Sequence, residues 1–309
     1  MAGTILITGV SGFLGRHAAR EFVRRKWHVY GIDDVPAENA PAHVDYRRLK
    51  LPDPALEILI ETWKPDACIH AAGRASVPLS MSDPAADFYA SPVLTFELLE
   101  AFRRFSPKTK VAYLSSAAVY GDPESLPITE DHATHPVSPY GYHKRLGELL
   151  LEEYARIYNL PTFSVRIFSA YGVGLRRQVV WDICERALTT GRLTLRGTGR
   201  ESRDFVHAAD VVRALATLLE KADGHGEVYN VAAGEETTIA EIAQVLLRSL
   251  GLDLEPQFDG QEVPGNPHRW RADVSRLTGL GYTREVPLET GLSSVAHWAL
   301  AELGAPGKA

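Results

Sequence analysis

The stretch that decides the fold is Thr4-Ile5-Leu6-Ile7-Thr8-Gly9-Val10-Ser11-Gly12-Phe13-Leu14-Gly15. Its first five residues are a short, mostly β-branched run, which is typical of a buried strand. Three glycines then recur at every third position, and a helical pattern follows them. Gly9 permits a tight turn, Gly12 lets the backbone approach a pyrophosphate, and Gly15 lets the helix pack closely on the sheet. The stretch predicts a dinucleotide site at a helix N-terminus, the alternative being a glycine-rich turn without a ligand.

The second predicted strand, 28–32, ends in the two carboxylates Asp33 and Asp34. An acid about twenty residues past the glycines can accept a hydrogen bond from a ribose 2′-hydroxyl and would repel a 2′-phosphate. We therefore expect NAD rather than NADP. The alternative is a polar loop after a strand.

Strands and helices continue to alternate beyond this point, which predicts a parallel, doubly wound sheet. Strands are predicted at 44–49, 66–73, 110–116 and 162–168, and helices at 54–63, 84–105 and 140–159. The fourth strand ends in Ala71, Ala72 and Gly73, whose small side chains leave room for a cofactor at the crevice. His70 in the same strand is expected to be a packed core histidine.

The alternation changes after residue 171, which indicates a second, smaller unit. We predict an α/β fold: a Rossmann doubly wound parallel sheet with a smaller C-terminal substrate domain. The NAD-binding domain is assigned to 1–171, with 204–251 returning to it. The substrate-binding subdomain is assigned to 172–203 and 252–285, and 286–309 to a C-terminal helix.

Composition narrows the class of protein. The chain has 309 residues, a formal net charge of -6 and two cysteines, Cys68 and Cys184, in apolar contexts. These features give no electrostatic footprint for nucleic acid and no disulfide framework. No apolar run approaches the length of a membrane span, and no signal peptide is evident. We expect a cytoplasmic protein with no metal site.

Tyr140 and Lys144 stand four residues apart at the start of a predicted helix, within Ser138-Pro139-Tyr140-Gly141-Tyr142-His143-Lys144. This spacing puts the phenol and the ammonium on one face of the helix. We expect the cation to lower the pKa of Tyr140, so that the phenol can exchange a proton with an alcohol or a ketone. The alternative is a chance pairing on a helix surface.

Nearly the whole chain resembles the extended short-chain dehydrogenase/reductase superfamily, in the group of nucleotide-sugar epimerases and dehydratases that includes UDP-glucose 4-epimerase-like enzymes. The motifs that carry the resemblance are 8–15, Asp33, His70-Ala71-Ala72, Ser80, Asp83-Pro84, 115–121, 138–144, 166–168, Tyr171-Gly172, 197–199, 203–207, Asp210 and 229–234. Many ordered motifs at the family's spacing make this resemblance specific at the level of the superfamily.

The resemblance implies roles for individual residues. Tyr140 is the acid and base on a sugar hydroxyl, Lys144 holds the nicotinamide ribose, and Ser116 hydrogen-bonds the reacting oxygen. Together with the patterns above, it places the cofactor against Gly9, Gly12, Phe13, Leu14, Gly15, Asp33, Asp34, Leu51, Ala71, Ala72, Gly73, Ser115, Tyr140, Lys144 and Ile167. It places the substrate against Ser116, Ser169, Arg176, Arg203 and Arg269. The guanidinium of Arg203 suits a substrate phosphate, the alternative being an ion pair with Asp204 or Asp210.

Departures from the family pattern bear on the subclass. Dehydratases and decarboxylases of this group carry acidic residues after the hydroxyl of the fifth strand, where this chain has Ala117 and Ala118. Ser91 and Ser169 stand where the family has asparagines, and the arginine often found before Asp273 is absent at Val263. These departures concern the identity of the substrate rather than the fold.

The expected activity is NAD-dependent epimerisation at C4 of a nucleotide-diphospho-sugar through a transient 4-keto intermediate. The main alternative is an NAD(P)H-dependent 4-keto-6-deoxy nucleotide-sugar reductase, which uses the same Ser–Tyr–Lys set. A 4,6-dehydratase, a decarboxylase and a non-catalytic NAD-binding protein are less favoured. The resemblance also implies a homodimer formed by the helices near 87–105 and 140–159.

Overall fold

The computed structural model describes residues 3–261 and 268–304. The strands are β1 (Thr4–Thr8), β2 (His28–Asp33), β3 (Asp45–Arg48), β4 (Ala67–His70), β5 (Lys110–Ser116), β6 (Thr162–Ile167), β7 (Ser169–Tyr171), β8 (Thr194–Leu195), β9 (Ser202–Arg203), β10 (Phe205–His207), β11 (His225–Val231), β12 (Thr237–Thr238) and β13 (Gln257–Phe258). The helices are α1 (Phe13–Arg24), α2 (Ala55–Trp63), α3 (Val77–Ser82), α4 (Pro84–Phe88), α5 (Leu94–Phe105), α6 (Pro139–Tyr158), α7 (Gln178–Thr190), α8 (Ala208–Lys221), α9 (Ile239–Leu250), α10 (Ser275–Gly279) and α11 (Leu288–Leu303). None of the helices in the described ranges is both long and apolar enough to cross a membrane.

The central sheet has seven parallel strands in the order β11-β6-β5-β4-β1-β2-β3. Helices cover both of its faces, so its central strands are apolar on both sides. In β1, Ile5 and Ile7 pack on one face in a cluster with α1 and α8. Leu6 points to the other face and packs with α2, α5 and α6. The predicted doubly wound α/β fold is confirmed.

A second apolar core lies outside this sheet. Residues of α7, α9 and α11 form it, among them Trp181, Leu246 and Leu292. Within the segment 204–251, β11 pairs with β6 of the central sheet. The apolar face of α9 packs on α7 and α11.

This packing revises the expected domain limits. We propose that α9 and α11 belong to the smaller unit together with α7. The expected C-terminal helix 286–309 is described as α11, and residues 305–309 lie outside the described residues. Val263 also lies outside them.

The long helix expected over 84–105 is interrupted. A π-helical turn, Tyr89–Val93, separates α4 from α5 and contains Pro92. Proline lacks the N–H that a regular helical ladder needs, so a wider turn accommodates it. Asp87, just before this turn, and Ser91, within it, are both buried, and the two segments pack on α6.

Candidate active site

The carboxyl ends of β1, β4, β5 and β6 meet at one edge of the sheet, and α6 begins beside them. Thr8 pairs with His70 at the ends of β1 and β4, and Ser116 pairs with Ile167 at the ends of β5 and β6. In a parallel sheet this edge is where ligands bind. The predicted core role of His70 agrees with its burial and its hydrogen bond to the Thr8 hydroxyl, 2.8 Å long.

The glycine loop between β1 and α1 is closely packed. Gly9 has a φ of +66°, and a Cβ there would lie 2.7 Å from the Ala72 nitrogen. A Cβ on Gly15 would lie 2.1 Å from the Gly9 carbonyl oxygen, so only glycine fits either position. Gly12 is the N-cap residue of α1 and has no side chain to cover the helix end. The Ser11 hydroxyl is buried and has no hydrogen-bond partner among the described residues.

Asp33 lies directly beside this loop at the end of β2. One carboxylate oxygen accepts a hydrogen bond from the Ser11 N–H (2.8 Å), and the other accepts one from the Asp34 N–H (2.9 Å). Asp34 itself is exposed. An exposed helix N-terminus, a glycine cradle and a fixed carboxylate fit the pyrophosphate and the adenosine ribose of NAD.

The other predicted cofactor residues lie around the same loop. Phe13 and Leu14 are in the first turn of α1. The Ala71 N–H donates to the Thr8 carbonyl oxygen (3.1 Å) and the Ala72 N–H to its hydroxyl (3.2 Å), so both alanines are held against the loop. Gly73 is exposed, and Leu51 packs partly buried on the α2 side of the sheet.

The first turn of α6 is fixed from two sides. Ser138 caps it by accepting a hydrogen bond from the Gly141 N–H (3.2 Å), and Pro139 occupies the first helical position. The Ser80 hydroxyl, fully buried in α3, accepts a hydrogen bond from the Tyr140 N–H (3.1 Å). A Cβ on Gly141 would lie 2.6 Å from the Ala118 carbonyl oxygen. The helix therefore begins in direct contact with the turn that follows Ser116.

Three predicted catalytic residues come together at this point. The Ser116 hydroxyl lies close enough to the Tyr140 phenol to lower its pKa, and it accepts a hydrogen bond from the Ala118 N–H (3.2 Å). The Lys144 ammonium donates to the Leu114 carbonyl oxygen (2.8 Å) and lies 5.8 Å from the centre of the Tyr140 ring. Lys144 is only 6% exposed. A hydroxyl, a phenol and a buried cation in this arrangement can move a proton to and from an alcohol.

The pKa of Tyr140 does not follow the sequence-based prediction. Burial raises it and the charge of Asp87 adds to the rise, whereas the neighbouring Ser116 hydroxyl and the charge of Arg177 oppose it. Lys144 was expected to lower the pKa of Tyr140, but desolvation of the phenol outweighs its neighbours. Burial also lowers the pKa of Lys144 to about 8, against the opposing charges of Asp87 and Glu148.

The side chain of Ser115 does not lie where the cofactor-binding prediction puts it. Side chains alternate along a strand, so Ser115 and Ser116 point to opposite faces of β5. The Ser115 hydroxyl donates to the Glu148 carboxylate (2.6 Å), which also forms a buried ion pair with Arg166. The side chain of Ser115 therefore belongs to this buried network and does not line the cofactor crevice.

The predicted substrate arginines divide into two groups. Arg203 is partly buried over the Trp270 ring at 5.5 Å, and among the described residues no carboxylate forms an ion pair with it. The alternative partner Asp204 instead accepts three backbone N–H groups. Burial lowers the pKa of Arg203. A desolvated, unpaired guanidinium is suited to an anionic ligand.

The other two arginines are already paired. Arg269 forms two hydrogen bonds with Glu236, 2.7 and 2.8 Å long. Arg176 is exposed and pairs with Glu302 on α11 (2.6 Å). Ser169 lies in β7, where its N–H donates to the Asp204 carbonyl oxygen.

Sequence reasoning missed four residues of this region as site residues. Ser80 anchors the Tyr140 N–H, and Arg177 at the N-cap of α7 acts electrostatically on the Tyr140 phenol. Asp87 forms a buried hydrogen bond with His143, one position before Lys144. The available signal was the position of His143 inside the Tyr–Lys segment, but nothing local pointed to Asp87.

Comparisons with known proteins agree with this geometry. A family model described as the NAD dependent epimerase/dehydratase family matches residues 5–232. A UDP-glucose 4-epimerase of Mycolicibacterium smegmatis is 31% identical over 310 residues, covering 95% of this chain and 97% of the relative. A UDP-glucose 4-epimerase of Thermotoga maritima, solved with UDP-glucose, has a TM-score of 0.89 at 29% identity and covers 97% of this chain and 99% of its own. A UDP-glucuronic acid 4-epimerase of Bacillus cereus, solved with UDP-glucuronic acid and NAD, has a TM-score of 0.87 at 28% identity with the same coverage.

Proposed function

The chain belongs to the NAD-dependent epimerase/dehydratase family, and on this basis we propose that it inverts C4 of a nucleotide-diphospho-sugar through a transient 4-keto sugar. It is an enzyme of the extended short-chain dehydrogenase/reductase type, and its cofactor is NAD. The proposal depends on one observation above all. Ser116, Tyr140 and Lys144 lie close together, beside the glycine loop.

The glycine loop and the acid that follows it would hold the cofactor. Gly9, Gly12 and Gly15 would receive the pyrophosphate at the N-terminus of α1, and Asp33 would accept a hydrogen bond from the adenosine ribose. When bound, NAD supplies a hydride acceptor that can return the hydride to the other face of the sugar. No further cofactor is needed for the balance of the reaction.

The residues of the chain itself move the proton. Tyr140 takes the proton of the sugar 4-hydroxyl and later returns it, and the Ser116 hydroxyl holds the reacting oxygen. Lys144, fixed by the Leu114 carbonyl, supplies positive charge beside the phenol. Arg203 would bind the diphosphate of the substrate, so that the nucleotide is held firmly while the sugar ring turns over.

Inversion at C4 needs no second acid–base pair near the sugar. Elimination of water by a dehydratase does need such a pair. Ala117 and Ala118 form the turn after Ser116, where an acidic residue of a dehydratase would stand. Two methyl groups cannot expel a hydroxyl or take a proton from C5. The site therefore supports hydride and proton transfer at one carbon.

The experiment is turnover without added cofactor. The purified protein is checked for co-purifying NAD by absorbance and is then incubated with UDP-glucose, UDP-N-acetylglucosamine and UDP-glucuronic acid. We expect one 4-epimer to form, detected by NMR, and Tyr140→Phe to slow it by about 10²–10⁴-fold. Turnover only of a 4-keto sugar with added reduced cofactor would instead identify the reductase. Unchanged turnover in Tyr140→Phe would remove Tyr140 from the mechanism.

We propose that two copies of the chain pair through α5 and α6. Large apolar side chains stay exposed on this side of the molecule, namely Phe96, Tyr142, Leu146, Leu149, Ile157 and Tyr158. An apolar face of this extent is typical of a protein–protein interface, and a two-fold axis can bury the same face of both copies. Sedimentation velocity measures the mass directly, and a monomer at micromolar concentration would contradict this pairing. The cytoplasm remains the prediction from sequence.

A further inference from the structure

A buried carboxylate lies behind the catalytic helix and takes no part in the mechanism above. Asp87 in α4 is fully buried. One of its oxygens, Oδ2, lies 2.6 Å from Nδ1 of His143 in α6. An ionised carboxylate can only accept, so His143 donates this hydrogen bond from Nδ1. The other oxygen, Oδ1, is buried and has no hydrogen-bond partner among the described residues.

The histidine of this pair lies one residue before the catalytic lysine in the chain. His143 immediately precedes Lys144 in α6, and the Phe88 ring packs edge-on against the imidazole at 5.3 Å. His143 is largely buried, with 12% of its side chain exposed. The imidazole therefore holds the Asp87 carboxylate inside the contact between α4 and α6 rather than in solvent.

Within the described part of the chain, five charged or titratable groups surround Lys144. Asp87 approaches from α4 and Glu148 from the next turn of α6, and both favour the charged ammonium. The Tyr113 ring lies 4.8 Å from the ammonium on the β5 side, and His70 lies on the β4 side. Tyr140 completes the set, with its ring 5.8 Å away.

The two carboxylates are not equivalent. Glu148 is bound by Arg166, Arg145 and the Ser115 hydroxyl, so its charge is compensated within its own network. Asp87 has only the His143 donor among the described residues. Its charge is the larger of the two influences that oppose the desolvation of Lys144.

We propose that Asp87 and His143 act as a positioning pair that keeps Lys144 in its cationic form beside Tyr140. His143 fixes the Asp87 carboxylate by a hydrogen bond, and the negative charge of this carboxylate favours the protonated form of Lys144. The proposal rests on the proposed function only in that the reaction uses Lys144 and Tyr140.

The same carboxylate acts on the phenol. Tyr140 faces the Ser116 hydroxyl, the Arg177 guanidinium and Asp87, and Asp87 is the member of this set that opposes the phenolate. Removal of the Asp87 charge therefore lowers the pKa of both Tyr140 and Lys144. The whole pH profile of turnover should then move to lower pH.

The test is Asp87→Asn, which keeps the shape of the side chain and removes its charge. We expect the basic limb of the kcat/KM profile to move down by about one pH unit, which makes activity about tenfold lower on that limb. The matched control is Glu153→Gln, an exposed carboxylate on α6 whose loss changes the net charge equally. Two profiles that coincide, in a protein with unchanged melting temperature, would overturn the proposal.

A second measurement needs no substrate. The stability difference between the protein and Lys144→Met is followed by urea unfolding across pH 6.5–9.5, with and without Asp87→Asn. The pH at which this difference begins to shrink should fall by about one unit in the Asp87→Asn background. A shift here with no turnover of any nucleotide sugar by the unmodified protein would leave the pair standing and remove the proposed function. An unchanged onset would overturn the pair.

His143 provides the check if Asp87→Asn does not fold. His143→Phe removes the donor that holds the Asp87 carboxylate in place. The pH profile should then move in the same direction by a smaller amount. His143→Asn keeps an amide donor and should restore most of the original profile. Equal profiles for His143→Phe and the unmodified protein would overturn the role of the pair.

Discussion

Two charged clusters lie one turn apart on α6, and they are built in opposite ways. In the second turn, Lys144 is buried with one backbone carbonyl as its hydrogen-bond acceptor, and burial lowers its pKa to about 8. One turn later, Glu148 is buried against Arg166 through two hydrogen bonds, 2.9 and 2.8 Å long. The first cluster is arranged to exchange protons, and the second is arranged to hold its charges.

The two clusters differ in how many hydrogen-bond partners each buried charged group has. Arg166 also donates to the Tyr120 hydroxyl (2.9 Å) and to the Glu130 carbonyl oxygen (3.0 Å), while Ser115 donates to Glu148. This network joins β5, β6 and α6 beneath the site. A buried charge that is fully hydrogen-bonded is retained, and one that is only partly compensated titrates near neutral pH. The molecule places the two kinds one turn apart on α6.

The largest expected effect follows from breaking the second cluster. Glu148→Gln leaves Arg166 as a buried cation without its partner, which should lower the free energy of unfolding by about 3–5 kcal/mol. Urea unfolding with a tryptophan fluorescence readout measures this loss. The matched control is Glu152→Gln on the same helix, because Glu152 pairs with the exposed Arg156 at 3.1 Å.

The control should change the free energy of unfolding by less than about 0.5 kcal/mol, because exposed pairs of this kind contribute little. Equal losses in Glu148→Gln and Glu152→Gln would show that burial does not separate the two ion pairs. Retained stability in Glu148→Gln would mean that Arg166 finds another acceptor.

The comparison also shows what sequence reasoning could and could not supply. The glycine loop and Asp33 were readable because a strand, a turn and a helix are contiguous in the chain, and the parallel sheet was confirmed. The alternation of Ser115 and Ser116 was equally readable, since adjacent strand residues face opposite sides, and it was overlooked. Those signals are local in the chain.

Non-local relations were out of reach of pattern reasoning. Asp87 and His143 lie 56 residues apart, and only the packing of α4 on α6 brings them together. The pairing of Arg176 with Glu302 spans 126 residues, and no local pattern pointed to it. The local sequence of α9 also does not tell which of the two cores buries its apolar face. The pKa of Tyr140 was mispredicted for the same reason, since desolvation depends on the whole fold and spacing on the helix does not.

The second largest expected effect is a gain in the free energy of unfolding, and it concerns the cluster around Lys144. Burial lowers the pKa of Lys144 to about 8, from 10.5 in a model compound. The unfolded chain therefore binds more protons between those two values, so this group makes stability rise with pH across that window and makes the protein less stable below it. Lys144→Met should raise the free energy of unfolding at pH 7 by about 3 kcal/mol while lowering activity by about 10²-fold.

The gain should shrink as the pH rises from 8 to 10.5, because the native lysine is then neutral in the folded protein. Lys110→Met is the matched control: Lys110 also donates to a backbone carbonyl, that of Ala222 at 2.7 Å, but it is less buried. It should give no gain in stability. A Lys144→Met protein that is less stable than the original at pH 7 would show that the hydrogen bond to Leu114 outweighs desolvation.

The smallest effect tests how the first cluster is anchored. Ser80→Ala removes the acceptor of the Tyr140 N–H and leaves this helix-end donor without its partner, which should cost about 1 kcal/mol of stability. A small displacement of the phenol should also lower kcat by about 10-fold with little change in KM. Ser82→Ala is the matched control, because Ser82 donates to the Leu79 carbonyl as Ser80 does to that of Val77, but is exposed and forms no contact with Tyr140. If both variants lose stability equally and neither loses kcat, the first turn of α6 does not depend on Ser80, and its position is set by Ser138 and by the contact of Gly141 with Ala118.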